Sequence, residues 1–443
     1  MKNILKSKRE RFPTYGGVKV PHRKNTASLE TVRMPVPSAV TIPMQMHIGA
    51  PCRPLVSVGD TVLVGQKIGE SDHPMSSPIH ASVSGKVIAV KSIVTGSGAV
   101  SDAVVIESDG QMTAAPLTPP EITDMDSFLR AVRECGLVGL GGAGFPTHIK
   151  LKIPDGKRVD TLLINAAECE PYLTADNREI LENAWDVMSG IYTVRDFLGI
   201  KDVIIGVEEN KPEAIAVLKK IADASPDKEN KVRVLSLPSS YPQGAEKVLI
   251  KAAVGREVPM GKLPADVGCV VINVTSIATL ARYIKTGMPL VEKRVTVDGG
   301  AVSSPKNVFV PIGTSVSDVL SFVGVDAPKK VLMGGPMMGT ALAETDVPVV
   351  KNTNGIVAMD EKEARYRESS ACIRCGRCVA ACPMRLVPLR LEKAVERKDT
   401  DALADLSVMN CMECGSCAFS CPASRPLVQS IRLGKAMLKG AKK

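Results

Sequence analysis

Residues 372–382 read Cys372-Ile-Arg-Cys375-Gly-Arg-Cys378-Val-Ala-Ala-Cys382, and residues 411–421 repeat the spacing as Cys411-Met-Glu-Cys414-Gly-Ser-Cys417-Ala-Phe-Ser-Cys421. Each stretch is followed by proline. Three cysteines at two-residue gaps can bind one [4Fe-4S] cluster, while the fourth, next to proline, binds the other cluster of the pair. The spacing therefore predicts two clusters, one on Cys372, Cys375, Cys378 and Cys421 and the other on Cys411, Cys414, Cys417 and Cys382.

Zinc and disulfide bonds are the alternative uses of eight clustered cysteines. Structural zinc usually takes two CxxC pairs separated by a longer loop, which is not the spacing found here. Disulfides are typical of secreted proteins, whereas the first dozen residues carry charge without the apolar run of a signal peptide. Iron–sulfur clusters are therefore favoured, and Cys52, Cys135 and Cys269 are predicted to be small core residues, with Cys169 a further candidate.

The composition is that of a globular protein of about three domains. The 443 residues are 44% hydrophobic and 23% charged, with a net charge of +9. Aromatic residues make up only 3%, which argues against nucleic-acid binding by base stacking. Basic ends can bind anionic partners or can simply be solvated. The basic residues at the ends are Lys2, Lys6, Lys8, Arg9, Arg11, Lys435, Lys439, Lys442 and Lys443.

No stretch of the sequence reaches the eighteen apolar residues that indicate a transmembrane helix. The most apolar candidate, 331–343, is short and interrupted by glycines. We therefore expect a protein without a transmembrane helix, located in the cytoplasm, that reaches a membrane only through its partners.

The first 110 residues divide into an arm and a β module. Residues 1–37 are basic and rich in proline, and they predict an extended arm. In residues 38–110 short β-type runs alternate with turns, a pattern similar to the barrel-sandwich hybrid fold of biotinyl and lipoyl carrier domains. The carrier lysine is missing, so we expect a scaffold without carrier function. His73 and His80 are predicted to be surface or turn residues, because two histidines without a third ligand make a poor metal site.

A glycine-rich loop follows the first predicted helix, which starts near Asp126. It reads Gly139-Leu-Gly141-Gly142-Ala-Gly144-Phe-Pro-Thr-His-Ile-Lys150 and contains GxGxxG. The loop follows a helix and contains an early proline, whereas a Rossmann glycine motif follows a strand. Its backbone N–H groups can still approach a phosphate closely, and Lys150 can add positive charge.

Residues 121–290 alternate between strands and helices, which predicts a largely parallel α/β sheet. The first strand ends in Asn165-Ala-Ala-Glu168-Cys-Glu170, and the carboxyl ends of such strands commonly bind ligands. Glu168 and Glu170 can therefore accept hydrogen bonds from ribose hydroxyls or a carboxamide, or can be solvated in a loop. Residues 291–345 predict a small β-grasp-like domain, and residues 360–443 a helical domain that carries both clusters.

The glycine loop and the acidic strand end together resemble the flavin- and NADH-binding subunit of respiratory complex I and of soluble NAD-reducing hydrogenases. The resemblance implies that Gly139, Gly141, Gly142, Gly144 and Lys150 contact the FMN phosphate, that Asn165 and Asn273 contact the flavin, and that Glu168 and Glu170 act at the nicotinamide nucleotide. Leu140 and Ala167 replace an arginine and an aspartate of that family, and Ala245 replaces one of a pair of glutamates.

The order of arm, lysine-free β module, flavin domain, β-grasp domain and paired clusters resembles the C subunits of Rnf-type ion-translocating ferredoxin:NAD oxidoreductase complexes. The resemblance implies a peripheral subunit on the cytoplasmic face of a membrane complex, with FMN, two [4Fe-4S] clusters and NAD(H). The implied partners are integral membrane and iron–sulfur subunits. A flavin-free iron–sulfur adaptor and an NAD-linked subunit of a soluble hydrogenase or formate dehydrogenase are the alternatives.

Overall fold

The computed structural model describes residues 11–225 and 232–440. The basic residues Lys2, Lys6, Lys8, Arg9, Lys442 and Lys443 lie outside these ranges. The strands are β1 Val32–Arg33, β2 Ala39–Pro43, β3 Arg53–Pro54, β4 Thr61–Val62, β5 Lys67–Glu70, β6 Ile79–His80, β7 Gly85–Val94, β8 Val100–Ser108, β9 Thr161–Ala166, β10 Asp202–Glu208, β11 Val232–Leu237, β12 Cys269–Asn273, β13 Glu292–Asp298, β14 Lys306–Pro311, β15 Lys330–Met333, β16 Thr340–Ala341 and β17 Gly355–Met359.

The α-helices are α1 Met125–Glu134, α2 Thr147–Leu151, α3 Ala175–Leu198, α4 Pro212–Asp223, α5 Glu246–Val254, α6 Val274–Thr286, α7 Val316–Val323, α8 Arg377–Ala380, α9 Pro388–Glu396, α10 Thr400–Asp405, α11 Ser416–Phe419 and α12 Leu427–Gly440. Short 3-10 helices occur at Pro264–Val267 and Val408–Asn410.

The β module consists of two antiparallel sheets, with strand orders β2-β8-β7-β4 and β3-β5-β6. Alternating apolar residues such as Val40, Ile42 and Ile106 face the core between them. His80 was predicted to be a surface or turn residue, and this prediction is wrong: His80 is buried in β6. Buried neighbours surround it because β6 pairs with β5 inside the module, whereas His73 is exposed as predicted.

The central domain has a four-stranded parallel sheet with the order β11-β10-β9-β12. Strand β9 of this sheet is buried on both faces. Leu162 and Ile164 pack in the core with α3 and α6, while Leu163 packs in the core with α5. The chain proceeds from β9 outward to β11 and then returns to β12 on the other side. The strand order therefore reverses between β9 and β12, and sheets of this kind bind ligands at that position.

The predicted β-grasp-like domain contains a six-stranded sheet of order β1-β14-β13-β17-β15-β16, with α7 against it. Two of its strands lie outside the predicted range of 291–345. The arm supplies β1, which pairs with β14 in parallel, and β17 pairs with both β13 and β15. The arm thus adds an edge strand to a distant domain, which its proline-rich composition did not indicate.

The last domain is helical, as predicted. Its two cysteine repeats each lead into a short helix, α8 or α11, and then into a longer one, α9 or α12. The spacer 389–406 was predicted to be helical, and it forms α9 and α10 with a break at Lys398, whose φ is 54°. Across residues 11–225 and 232–440, no helix is both long and apolar enough to cross a bilayer. Cys52, Cys135 and Cys269 are buried, as predicted.

Candidate functional site

Two cavities in the helical domain are each lined by four cysteines. Cys372, Cys375, Cys378 and Cys421 line the first cavity, which has a volume of about 380 Å³ including its opening. Cys382, Cys411, Cys414 and Cys417 line the second, of about 350 Å³. Each cavity thus combines three cysteines of one repeat with the fourth cysteine of the other repeat, which is the grouping that the spacing predicts. We call them cavity 1 and cavity 2.

The two repeats follow the same backbone course around these cavities. Gly376 and Gly415 have φ values of 75° and 83°, a left-handed conformation that glycine adopts readily. Arg374 and Glu413 also have positive φ, and each donates its N–H to the sulfur of the first cysteine in its repeat, at 3.4 Å and 3.3 Å. Hydrogen bonds to cysteine sulfur set the reduction potential of an iron–sulfur centre. The local backbone therefore suits thiolates that bind a cluster.

A single metal ion fits these cavities poorly. Within the described residues, no three His, Cys, Asp or Glu side chains converge closely enough to hold one ion. Four thiols that line one cavity without converging on a single point suit a larger inorganic group, and thiolates are the ligands that hold [4Fe-4S] clusters. The cysteine geometry therefore favours clusters over the zinc alternative.

The glycine loop lies on the surface beside the carboxyl end of β12. The loop is closed by a hydrogen bond of 2.9 Å from Gly139 N to Phe145 O. In the part of the chain that the structure describes, the backbone N–H groups of Gly141, Gly142 and Ala143 donate to no protein acceptor. Free N–H groups that point outward from a turn suit an anion such as a phosphate. The loop therefore fits the phosphate of a flavin nucleotide.

The loop glycines meet different surroundings. A Cβ atom at Gly141 would lie 2.6 Å from Asn273 Nδ2, whereas a Cβ atom at Gly142 would meet nothing within 4 Å. Gly144 has a φ of 71°, which most other residues avoid. Leu140, which replaces the family arginine, is buried in the large core, and its N–H donates to Ser276 Oγ at 3.1 Å. Leu140 therefore anchors the loop and offers no polar group to a ligand.

Asn165 and Asn273 lie side by side where the strand order reverses. Asn165 is the second-last residue of β9 and Asn273 the last residue of the neighbouring parallel strand β12, and the two are paired in register. The Asn165 amide donates to Gly244 O at 2.8 Å. Asn273 accepts hydrogen bonds from Thr275 N and Ser276 N at the start of α6. Both side chains therefore hold neighbouring loops in place as well as lining the edge of the sheet.

Lys150 lies on α2, one turn beyond the glycine loop. Its Nζ pairs with Glu246 Oε1 at 2.8 Å, at the first residue of α5. Both side chains are about one-third exposed (29% and 37%), so the pair is weak and can open. A contact from Lys150 to a phosphate requires it to leave or share this partner.

Glu168 is buried at the amino end of α3. Its carboxylate accepts hydrogen bonds from Asp176 N at 2.9 Å and Asn177 N at 3.4 Å. Burial raises the pKa of Glu168, while the nearby Lys24 ammonium and the helix amides oppose the rise. Glu168 therefore caps the start of α3, a role that the sequence pattern does not indicate.

The carboxylate of Glu170 lies against the turn that follows β15. One carboxylate oxygen accepts a hydrogen bond of 3.0 Å from Met337 N, and the other is buried without a partner among the described residues. Burial raises the pKa of Glu170 to about 7. A buried carboxyl oxygen without a partner is a polar group available to a ligand, so Glu170 suits the predicted nucleotide contact.

Sequence reasoning missed two residues that surround this acidic segment. Lys24, in the arm, donates to backbone carbonyls of the segment. Tyr241 is buried, and its hydroxyl donates to Cys414 O at 2.6 Å, which joins the central domain to a cysteine of cavity 2. Neither contact has a sequence signal, because both depend on how distant segments pack together.

Three family descriptions match the chain. "RnfC Barrel sandwich hybrid domain" matches residues 12–111, "Nuo51 FMN-binding domain" matches 132–282 and "4Fe-4S dicluster domain" matches 364–423. These matches confirm the predicted fold class. They also confirm the predicted cofactors, FMN and [4Fe-4S] clusters, for which the glycine loop and the two cysteine cavities are suited.

Relatives cover nearly the whole chain. The C subunit of the Na(+)-translocating ferredoxin:NAD(+) oxidoreductase complex of Acetobacterium woodii is 45% identical over 95% of this chain and 96% of its own. The C subunit of the proton-translocating ferredoxin:NAD(+) oxidoreductase complex of Clostridium ljungdahlii is 42% identical over 94% and 91%. The C subunit of the ion-translocating oxidoreductase complex of Rhodobacter capsulatus is 39% identical over 94% and 81%.

A solved structure shares the fold at low identity. An NAD+-reducing [NiFe]-hydrogenase in the H2-reduced state superimposes with a TM-score of 0.51 and 20% identity, over 73% of this chain and 67% of the hydrogenase chain. This likeness concerns the fold alone.

Proposed function

The chain belongs to the family of C subunits of ion-translocating ferredoxin:NAD(+) oxidoreductase complexes, and we propose which of its residues bind NAD(H) and where its electrons leave. It is a peripheral electron-transfer subunit of such a complex, and its cofactors are FMN and two [4Fe-4S] clusters. We propose that its domains are the β module at 38–110, the flavin domain at 121–290, the β-grasp-like domain at 291–345 with β1 and β17 added, and the cluster domain at 360–443.

The proposal rests chiefly on the position of Glu170 beside cavity 2. Glu170 accepts a hydrogen bond from Met337 N, and the Met337 carbonyl would lie 2.9 Å from a Cβ atom at Gly415, between two cysteines of cavity 2. Tyr241, whose hydroxyl donates to Cys414 O, neighbours the same carboxyl group. Two short connections thus join the acidic segment to one cluster site.

Bound FMN would supply two-electron chemistry toward NADH and bound clusters would supply one-electron chemistry, which together link a two-electron donor to one-electron carriers. The glycine loop would hold the flavin phosphate through its free N–H groups. Asn165 and Asn273 would line the flavin edge of the sheet. Glu170 would hold the nicotinamide nucleotide, and Glu168 would contact it when its carboxylate leaves or shares the amides of α3. Lys150 adds positive charge beside the loop when it leaves Glu246.

Cavity 1 is the proposed exit toward an iron–sulfur partner. Cys372 and Cys375 are exposed, and Ile373 between them is 68% exposed. Tyr366, six residues before Cys372 in the sequence, is also highly exposed, at 80%. Arg374, which lines cavity 1, and Arg377, next to Cys378, are also exposed. An apolar centre with a basic rim suits a partner whose surface is acidic.

The protein is proposed to sit on the cytoplasmic face of the cell membrane, bound to integral membrane subunits. Relatives of this chain are subunits of ion-translocating complexes, and the helices of the described residues do not cross a bilayer. The flavin-free adaptor is disfavoured by the match to an FMN-binding domain over residues 132–282. The soluble hydrogenase subunit is disfavoured because the full-length relatives are 39% to 45% identical, against 20% for the hydrogenase.

Anaerobic reduction tests the proposal. The purified chain is assayed for FMN, iron and sulfide, and NADH is then added while flavin and cluster absorbance are followed separately. Bleaching of the flavin followed by bleaching of the clusters is expected. An FMN-loaded chain whose absorbance does not respond to NADH would contradict the NAD(H) site, and flavin bleaching without cluster bleaching would contradict the connection to cavity 2.

A further inference from the structure

Lys24 of the arm reaches under the acidic segment and contacts its backbone at three points. Its Nζ donates to Glu168 O at 2.8 Å, to Glu170 O at 2.8 Å and to Leu173 O at 2.5 Å. An ammonium group has three N–H donors, so all three are used on one short segment. The segment therefore wraps around a single cation that comes from a different part of the chain.

Glu168 and Glu208 favour the charged form of Lys24, but within the described residues no carboxylate oxygen lies close enough to form an ion pair with it. Another ammonium, that of Lys211, donates to Glu168 O at 3.3 Å and is paired with Glu208 at 2.7 Å. Glu168 itself directs its carboxylate at the start of α3. Burial of an ammonium is costly unless its donors are satisfied, and here backbone carbonyls satisfy them. The Lys24 ammonium therefore fixes the backbone conformation of the acidic segment rather than pairing with one of its carboxylates.

We propose that Lys24 is a positioning residue of the NAD(H) site, which holds the acidic segment in the shape that presents Glu168 and Glu170 to the nucleotide. This inference rests on the proposed function of that segment. Lys24 touches the two predicted nucleotide residues through their carbonyls, so it acts on the ligand through them.

The rest of the arm supports this role, because it is fixed on both sides of Lys24. Tyr172 N donates to His22 O at 3.0 Å, and the Thr26 and Thr174 hydroxyls lie 2.5 Å apart. These contacts place the arm against the end of the acidic segment. The ammonium is therefore held by a fixed backbone, and its position determines where the three carbonyls lie.

The arm also contacts the helical domain before it reaches Lys24. Gly17 N donates to Ala381 O at 2.9 Å, and Val18 forms a β-bridge with Tyr241. A Cβ atom at Gly16 would lie 2.6 Å from the carbonyl carbon of Cys382, a cysteine of cavity 2. The same strand of chain thus touches the cluster site and the acidic segment, so that the arm fixes one relative to the other.

The test replaces Lys24 in the full-length, FMN-loaded chain. The assay measures the steady-state rate at which NADH reduces an artificial acceptor that takes its electrons from the flavin. Lys24→Met keeps the length of the side chain and removes the ammonium. We expect KM for NADH to rise about tenfold or more, as small misplacements of binding groups do, while FMN and iron content stay unchanged. Lys19→Met is the matched control, because Lys19 is exposed on the same arm. A KM for Lys24→Met within about twofold of wild type would overturn the proposal.

If Lys24→Met does not fold, the pH dependence of KM in wild type and in Lys24→Arg tests the same proposal. Burial lowers the pKa of Lys24 to about 8, and Lys211, Glu168, Glu208 and Cys169 are the titratable groups that face it. Wild-type KM should therefore rise between about pH 7 and 9 as Lys24 loses its proton and one N–H donor. Lys24→Arg stays charged throughout this range, so its KM should change less.

The two pH profiles separate the outcomes. Glu170 titrates in both proteins, so only their difference reports Lys24. Parallel profiles for wild type and Lys24→Arg would overturn the role of Lys24. If NADH fails to reduce the wild-type protein at every pH, the proposed function itself fails, and that result is distinct from an unchanged KM in an active protein.

Discussion

The carboxylate of Glu170 accepts a hydrogen bond from the backbone N–H of Met337 at 3.0 Å. Glu170 follows the first strand of the central sheet, whereas Met337 lies in a turn that follows β15 and packs against the second cysteine repeat. The bond thus joins the predicted nucleotide segment to a turn that borders cavity 2. The second carboxylate oxygen has no partner within residues 11–225 and 232–440. Only one of the two oxygens of Glu170 therefore accepts a hydrogen bond.

Glu170→Gln should stabilise the protein at alkaline pH. Burial raises the pKa of Glu170 from 4.5 to about 7 in the folded protein. Between these values the folded state binds a proton that the unfolded state has lost, so stability falls as the pH rises to 7 and stays low above it. From the pKa difference, the buried charge of Glu170 lowers the free energy of unfolding above pH 7 by about 3 kcal/mol. The gain from Glu170→Gln should be smaller, because a neutral amide oxygen makes a weaker hydrogen bond with Met337 N than a carboxylate does.

Thermal unfolding at pH 5 and pH 8 measures this effect. The melting temperature of Glu170→Gln should exceed that of wild type by more at pH 8 than at pH 5. Glu209→Gln is a suitable control, since Glu209 is an exposed carboxylate in the same domain. A difference in melting temperature that is the same at both pH values would show that Glu170 is ionised normally in the folded protein.

Gly142→Ala should weaken FMN binding without affecting the fold. A Cβ atom at this position meets no protein atom within 4 Å, and the φ of Gly142 is not positive. The methyl group would therefore project into open space at the loop where the phosphate is proposed to bind. We expect FMN affinity to fall about tenfold, because the N–H groups can no longer approach the phosphate closely, with an unchanged melting temperature of the flavin-free protein.

Gly141→Ala provides the contrast for this experiment. Its Cβ atom would lie 2.6 Å from Asn273 Nδ2, so the amide that caps α6 must move. Loss of such a cap costs about 1 kcal/mol, and the flavin-free protein should melt at a lower temperature. Equal FMN affinities for wild type and Gly142→Ala, measured by fluorescence titration, would contradict a phosphate at this loop.

Much of the architecture followed from local patterns. The βα alternation predicted all four strands of the parallel sheet, because strands buried on both faces require long apolar runs. The cysteine spacing predicted the grouping found around the two cavities, since the proline after each fourth cysteine ends its helix. These features depend on residues close together in sequence.

The features that were missed depend on long-range packing. His80 has the polarity of a surface residue, yet pairing of β6 with β5 buries it. Glu168 was predicted to face a ligand, and its role as a cap of α3 emerges only when the helix start is placed beside it. The contact of Lys24 with the acidic segment spans about 145 residues of sequence. No local composition indicates such a contact.

Serine substitutions can test which cysteines share a cluster. Cys421→Ser should remove one cluster, so that iron falls from about eight atoms per chain to about four. Cys372→Ser combined with Cys421→Ser should also leave about four atoms, because both residues line cavity 1. Cys269→Ser should keep all the iron, since Cys269 is buried in the central domain, away from both cavities.

Iron analysis and electron paramagnetic resonance give the answer. If each repeat instead bound its own cluster, Cys372→Ser would affect one cluster and Cys421→Ser the other, so the double variant would lose all its iron. The combination of Cys372→Ser with Cys382→Ser provides the converse test, since it should remove both clusters only when the fourth cysteines are exchanged between the repeats.

Ile373→Asp should slow electron transfer from cavity 1 to the partner while leaving internal electron transfer intact. Ile373 is 68% exposed between two cysteines of this cavity, and a charge at the apolar centre of an interface removes binding energy that surrounding contacts cannot replace. In the assembled complex, we expect NADH-driven reduction of the partner to fall about tenfold, with normal bleaching of flavin and clusters in the isolated protein. Val94→Asp is the control, since Val94 is 62% exposed on the β module. Equal losses in both variants, or none in Ile373→Asp, would place the exit elsewhere on the surface. High salt should also slow the wild-type transfer if the exposed arginines around Ile373 guide an acidic partner.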